Sequence, residues 1–175
     1  MRQFLICFTI IATLFCFSTA LSEDQKFEFQ GSPGGIQALL VLIPQKQVDL
    51  YNKPEIPLPT ALSEVECGEE FGVKILIAGM SLGEDNIADV TYDIQMTKAD
   101  DKVSEKTVHK DLPIYKGVVS KPNYIYNNRA VPLITFEAGD PLGLYTFDVL
   151  VKDNIGNSNV ALTRQIELVS CASDI

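Results

Sequence analysis

The chain is expected to fold as an all-β antiparallel sandwich of about seven strands. Tyr145, Phe147, Val149 and Val151 alternate with Thr146, Asp148, Leu150 and Lys152, the two-residue period of a strand with one buried face. Asp153 to Asn159 then supplies a turn rich in Asn and Gly, where left-handed backbone is cheap. Val160, Leu162, Ile166 and Leu168 share one side of the returning strand, and only Arg164 interrupts them. In addition, no window of the 175 residues keeps a helical period through three turns.

Taken from the N-terminus, Arg2 is the only charge before Glu23, residues 4–17 are an apolar run, and Ser18-Thr19-Ala20 has the small-x-small form of a signal-peptidase site. The run is short for a bilayer span, so residues 1–20 are expected to be a cleaved secretory signal. Residues 21–35, with Gly31, Ser32, Pro33, Gly34 and Gly35, are expected to be a flexible leader, residues 36–170 the sandwich, and residues 171–175 a C-terminal tail. The mature protein is thus expected to be periplasmic or secreted.

Residues 36–43 are nearly all apolar and end at Pro44, as a buried strand would. Pro44, Pro54, Pro57 and Pro59 argue against a helix over residues 44–64 and for extended chain. Phe71, Val73, Ile75 and Ile77 mark the next strand; Val90, Tyr92, Ile94 and Met96 mark another, with a clean polar face of Thr91, Asp93, Gln95 and Thr97. Asp100-Asp101 turns the chain into a weaker strand at 103–108. Residues 109–129, punctuated by Pro113, Gly117 and Pro122, are expected to be irregular, and 131–137 to be the strand before the final hairpin.

Cys7 and Cys16 would leave with the signal, so Cys67 and Cys171 remain as an even pair. In an oxidising compartment that pair predicts a disulfide. It would close a loop of about 100 residues, for which chain entropy allows at most about 4–5 kcal/mol. The formal net charge of −9 argues against nucleic acid or an anionic membrane surface as partner.

Asp140, Gly143 and Tyr145 form D-x-x-G-x-Y, which resembles the tyrosine corner of immunoglobulin-type sandwiches with one extra residue after the Asp. Phe147 stands where antibody domains place their second core cysteine, and the absence of tryptophan excludes an antibody-type domain. The chain also resembles a group of secreted bacterial Ig-like β-sandwich proteins of uncharacterised activity. The likeness runs through residues 38–43, Pro57 to Pro59, Val65-Glu66-Cys67-Gly68 and the D-P-L-G-x-Y hairpin at Asp140-Pro141-Leu142-Gly143-Leu144-Tyr145. It implies an Ig-like fold and export, and no activity.

Gly79-Met80-Ser81-Leu82-Gly83 spells the G-x-S-x-G of a nucleophile elbow, and Asp93, Asp100, Asp101 and then His109 follow in hydrolase order. An elbow needs a strand-to-helix turn, whereas Glu84-Asp85-Asn86 leads into another strand; a serine hydrolase using Ser81 is the remotest reading. His109 is the only histidine, the acidic turns lack calcium-loop spacing, and no phosphate loop opens a helix. No catalytic, cofactor or metal site is therefore expected.

The informative asymmetry lies in residues 102–129, which hold six basic residues against Glu105 and Asp111, with Tyr115, Tyr124 and Tyr126 among them. Tyrosine beside basic residues suits a recognition surface, so Tyr115, Lys116, Lys121, Tyr124, Tyr126 and Arg129 are the candidate partner-binding residues, suited to an acidic protein of the cell envelope. The plainer alternative is that lysines protect an edge strand while tyrosines cap an open end. The expected function is a non-catalytic binding or structural module of the bacterial envelope, with a small-ligand or carbohydrate-binding sandwich as runner-up.

Overall fold

The computed structural model describes residues 28–48, 50, 60–98, 107–121 and 124–171. The expected signal, the Asp100-Asp101 turn and Pro54, Pro57, Pro59 and Pro122 lie outside them. The described chain is almost entirely β. Its strands are β1 (Gln30–Gly31), β2 (Gln37–Pro44), β3 (Glu64–Glu66), β4 (Glu70–Ala78), β5 (Ile87–Lys98), β6 (Thr107–Val118), β7 (Tyr126–Asn127), β8 (Leu133–Thr135), β9 (Gly143–Asp153) and β10 (Ser158–Ser170).

Two five-stranded sheets result. In the first, β1, β2 and β4 lie side by side, and β7 and β8 pair with successive parts of the far edge of β4. In the second the order is β3-β10-β9-β5-β6. Every pair is antiparallel except β3 with β10. The long β9–β10 and β5–β9 ladders form the centre of the second sheet, as the alternation of Tyr145 to Val151 anticipates. With β4, β5, β6, β9 and β10 taken as strands B, C, C′, F and G, the second sheet carries the G-F-C-C′ order of an immunoglobulin-type sandwich.

The inward faces meet in one core. Phe71, Val73, Ile75 and Ile77 of β4 face Val90, Tyr92 and Ile94 of β5 and Tyr145, Phe147, Val149 and Val151 of β9. Phe71 meets Phe147 edge-on, with ring centroids 6.0 Å apart and planes at 88°. This pair occupies the place of the inter-sheet cysteine bridge of antibody domains, so aromatic burial holds the layers there. Phe136 extends the stack, 5.7 Å from Phe71 and 4.5 Å from Tyr145. The Tyr145 hydroxyl donates to the Pro141 carbonyl at 2.8 Å, and Asp140 accepts from the Glu137 N–H, so the turn before β9 is tied at both ends.

Cys67 and Cys171 are joined, with Cα atoms 4.7 Å apart. The parallel β3–β10 register brings Glu66 opposite Ser170, and Cys67 N–H donates to the Ser170 carbonyl at 2.9 Å, so the two cysteines meet at the exit of the pairing.

Several expectations need correction. Residues 107–118 form a twelve-residue strand, β6, where irregular chain was expected from 109 onward. Pro113 is accommodated because β6 is an edge strand, and a bulge at Ile114 breaks the period that sequence inspection seeks. Asp111 and Gly117 also sit at positive φ, 56° and 148°, which further disrupts the alternation. Within the expected leader, Gln30–Gly31 pairs with β2 as strand β1. A single-turn helix, α1 (Gln45–Val48), follows Pro44 in the segment expected to be wholly extended. The strand before the final hairpin is shorter than expected, Leu133–Thr135.

The first sheet also buries its outer face. Leu39, Val41, Ile43 and Leu76 form a second apolar cluster there, with Phe29, Val48 and Ala61 packed against it. This explains why residues 36–43 read as a continuous apolar run. On the same face of β4, a Cβ at Gly72 would come within 2.8 Å of Val131 Cγ1 and 2.9 Å of Val48 Cγ2, so only glycine admits that packing.

Candidate functional site

A sandwich has two lateral openings where the edges of its sheets approach. On one side β2 and β10 lie close together, and the exposed edge of β2 is consumed. Leu42 carbonyl accepts from Leu62 N–H at 2.8 Å, and Leu40 carbonyl accepts from Arg164 Nε at 2.9 Å. Arg164, the residue that interrupts the apolar face of β10, therefore closes this flank.

Among the described residues the opposite flank is open. Here β6 runs antiparallel to the segment 126–135, and two depressions lie in succession between them. A groove of about 320 Å³ is lined by Pro113, Ile114, Tyr115 and Lys116 from β6 and by Arg129 and Ala130 from the facing segment. A cleft of about 390 Å³ follows, lined by His109, Leu112, Pro132, Leu133 and Ile134, with Ile94, Met96 and Phe147 behind them. Consecutive residues of both walls line the two depressions, so they form one seam with a basic, tyrosine-bearing end and an apolar end. The cleft volume is within the range of ligand-binding sites.

Asn128 shapes the wall opposite β6. Between β7 and β8 the chain leaves the edge of β4, and the wholly buried Asn128 side chain fills the gap. Its Oδ1 accepts from Ile75 N–H at 2.9 Å, while Nδ2 donates to Val73 carbonyl at 3.0 Å and Ala130 carbonyl at 3.2 Å. One side-chain amide thus replaces ladder hydrogen bonds and lets Arg129 and Ala130 bow outward to line the groove. Burial pushes the Tyr92 hydroxyl above its ordinary pKa, partly offset by a hydrogen bond to Asn128. Lys74 is also buried, and its Nζ donates to Asn127 Oδ1 at 2.8 Å and to Asn128 carbonyl at 3.0 Å. Desolvation lowers its pKa from 10.5 to about 8.

The six residues expected to bind a partner are brought to this basic end. Tyr115 and Tyr126, eleven positions apart in sequence, meet with ring centroids 4.8 Å apart and planes at 66°. Their hydroxyls donate to Val118 carbonyl at 2.7 Å and Lys121 carbonyl at 3.1 Å, which fixes both rings. Lys121 Nζ lies 4.6 Å from the centre of the exposed Tyr124 ring, in cation–π range. Lys116 differs from the others: its Nζ pairs with Asp89 Oδ2 at 2.6 Å, and that bond holds the Asp89 carboxyl below the usual range. Lys116, Lys121 and Arg129 are all exposed at this end. Sequence inspection missed the apolar end, because His109, Leu112 and Leu133 acquire a common role only when β6 faces β8.

The triad order does not become a triad. Ser81 lies in the loop before β5, where its N–H donates to the buried Asp153 Oδ2 at 2.7 Å. A Cβ on Gly156 would collide with the Ser81 side chain, so the hairpin turn packs directly on it. His109 is opposite Ile94, seven residues into β5 from its start at Ile87, roughly 23 Å along the strand. Asp93 Oδ1 is engaged by Lys152 Nζ at 2.6 Å; that bond, with a hydrogen bond from Asp111 N–H, holds its carboxyl low. Lys152 also reaches Asp111 Oδ1 at 2.5 Å, so this charge cluster pins the bulged β6 to β5 and β9. Among the described residues no three His, Cys, Asp or Glu side chains gather as a metal site.

A shallow depression of about 290 Å³ lies on the outer face of the second sheet, with Asp93, Gln95, Asp148 and Thr163 around Leu150 and Ala161. Thr163 Oγ1 donates to Asp148 Oδ1 there at 2.8 Å.

No protein-family model matches the chain, and no curated protein matches it. Among solved structures it is similar to a family 123 glycoside hydrolase from Clostridium perfringens, at 13% identity and a TM-score of 0.44, over 78% of this chain and 27% of that one. It is also similar to a beta-glucosidase from Listeria innocua, at 11% identity and a TM-score of 0.39, over 79% of this chain and 17% of that one. The chain spans only a minor part of either enzyme, and likeness at this level bears on neither activity nor site. What the fold and the residues do establish is an all-β sandwich closed by a Cys67–Cys171 bridge, with no helix among the described residues long and apolar enough to cross a membrane.

Proposed function

We propose that the protein is an exported, non-catalytic binding module of the bacterial cell envelope, and that it captures an acidic protein partner at the seam between β6 and residues 126–135. The observation that supports this reading is the convergence of Tyr115, Tyr126, Lys121, Tyr124 and Arg129 at one open flank of an otherwise acidic chain. Edge-to-face, hydroxyl-anchored tyrosines supply contact area at low entropic cost, and exposed cations steer an acidic partner toward it. The cysteine bridge is compatible with an oxidising, extracytoplasmic location.

The test begins with affinity purification of the mature chain from its own envelope, followed by association kinetics with the captured partner. Lys121→Glu with Arg129→Glu is expected to slow association about tenfold at low salt, with less effect as salt screens the charges. Lys46→Glu with Lys98→Glu, outside the basic end of the seam, is the control. Equal rates for the two double variants would assign this flank to edge protection alone.

A carbohydrate-binding role is the second reading, favoured by the depression in which Asp93, Gln95, Asp148 and Thr163 surround Leu150 and Ala161. It predicts glycan-dependent chemical-shift changes on β5, β9 and β10 rather than on residues 126–135.

A further inference from the structure

We infer that the seam takes an extended acidic peptide segment in one orientation, with an apolar side chain in the cleft at Leu112 and Leu133 and carboxylates about three residues away at Arg129 and Lys121. The inference rests on the docking role proposed above and specifies the chemistry of its partner.

The two ends of the seam demand different side chains. The cleft is walled by Ile94, Met96, Leu112, Pro132, Leu133, Ile134 and Phe147, with His109 at its rim, and its volume of about 390 Å³ admits a whole aromatic or leucine side chain. The groove has Lys116 and Arg129 on facing walls, with Lys121 beyond Tyr126. Because Asp89 already compensates Lys116, the attraction for an incoming carboxylate comes from Arg129 and Lys121. Because of the bulge at Ile114, Leu112 and Lys116 face Tyr92 and Asp89, three residues or roughly 10 Å apart on β5, which sets the spacing of anchor and acid in an extended ligand.

The geometry also opposes simple strand addition to β6. Pro113 offers no N–H, Ile114 is bulged, and Asp111 and Gly117 have φ of 56° and 148°, so the free edge lacks a continuous ladder. The peptide is therefore recognised by side chains lying in the seam rather than by a new row of backbone hydrogen bonds.

The test is panning of a random ten-residue phage-displayed library against the mature, disulfide-intact chain. Enriched peptides are expected to carry Phe, Leu or Met about three residues from Asp or Glu. A fluorescein-labelled synthetic copy of the most enriched peptide should bind Leu133→Asp and Arg129→Glu at least tenfold more weakly than the unaltered chain. Raising salt from about 0.05 M to about 0.3 M should weaken binding to the unaltered chain more than binding to Arg129→Glu. Both positions are exposed, so circular dichroism and melting are expected to show folded variants. No enrichment, enrichment without the spacing, or binding to either variant as tight as to the unaltered chain would overturn the inference. If Lys121→Glu with Arg129→Glu still slows capture of the intact envelope partner, the docking reading survives and the partner presents a folded surface instead.

Discussion

Lys74 shows how one side chain carries a folding cost that sequence pattern conceals. It occupies a polar-looking position in the alternation of β4, yet the outer face of that sheet is a second apolar layer, and the ammonium is buried with it. Its folded pKa of about 8 lies below the 10.5 of the free side chain. Below pH 8 both folded and unfolded chains are protonated and the full desolvation cost is present. Between about 8 and 10.5 the unfolded chain binds more protons, so stability from this group rises with pH. Lys74→Met removes that dependence. Urea titrations should show the variant at its greatest relative stability below pH 8, with its advantage shrinking toward pH 10.5; parallel pH profiles would contradict the burial of the charge. Tyr145 is a simpler case. Tyr145→Phe loses the 2.8 Å bond to Pro141 carbonyl while keeping the ring against Phe136, and is expected to cost about 1–2 kcal/mol in chemical denaturation. An unchanged midpoint would mean the ring alone matters.

Strand β6 and the final hairpin differ in how openly their elements are written in the chain. β9 and β10 pair without a bulge from Ser158↔Asp153 to Leu168↔Gly143, so each strand keeps its two-residue period, and from Tyr145 to Val151 and from Val160 to Leu168 every inward residue but Arg164 is apolar. β6 is bulged twice against β5 and contains Pro113, which makes a genuine edge strand resemble loop composition. The bridge between Cys67 and Cys171 fastens the short parallel strand β3 to the end of β10, across a sequence separation of 104. Cys67→Ala with Cys171→Ala is expected to lower stability by up to about 4 kcal/mol, since β3 contributes only three paired residues to hold that end. Denaturant midpoints measure the loss, and intact mass with thiol titration of the unaltered protein should report no free thiol in the mature chain.

The two flanks of the sandwich are unequal, and the difference extends to dynamics. β4, β5 and β9 are paired on both sides, whereas β1, β7 and β8 contribute two or three residues each at the margins. Native-state hydrogen exchange is expected to find the slowest amides in β4, β5 and β9 and markedly faster ones in β7 and β8, beside the seam. Equal protection of β8 and β9 would show that the open flank is as rigid as the core. A wall that opens more readily than the centre lets the cleft at Leu133 admit a side chain without disturbing the Phe71–Phe147 contact.

The alternation in β5, β9 and β10, the turn at Asp153 to Asn159, the paired cysteines and the clustering of tyrosine with lysine were all legible in the chain, because each is a relation among neighbouring residues or a matter of composition. Sequence alone therefore carried the all-β class and named the residues of the basic end. It did not show that β6 continues through Pro113, that Asn128 bridges the edge of β4, that Asp89 compensates Lys116, or that His109 and Leu112 share a cleft with Leu133. Those are relations between segments tens of residues apart, and they exist only once two sheet edges face each other. Period-two polarity records which side of a strand is buried; it carries no information about which distant strand lies across the gap, and that pairing is what turns scattered basic, aromatic and apolar residues into one seam.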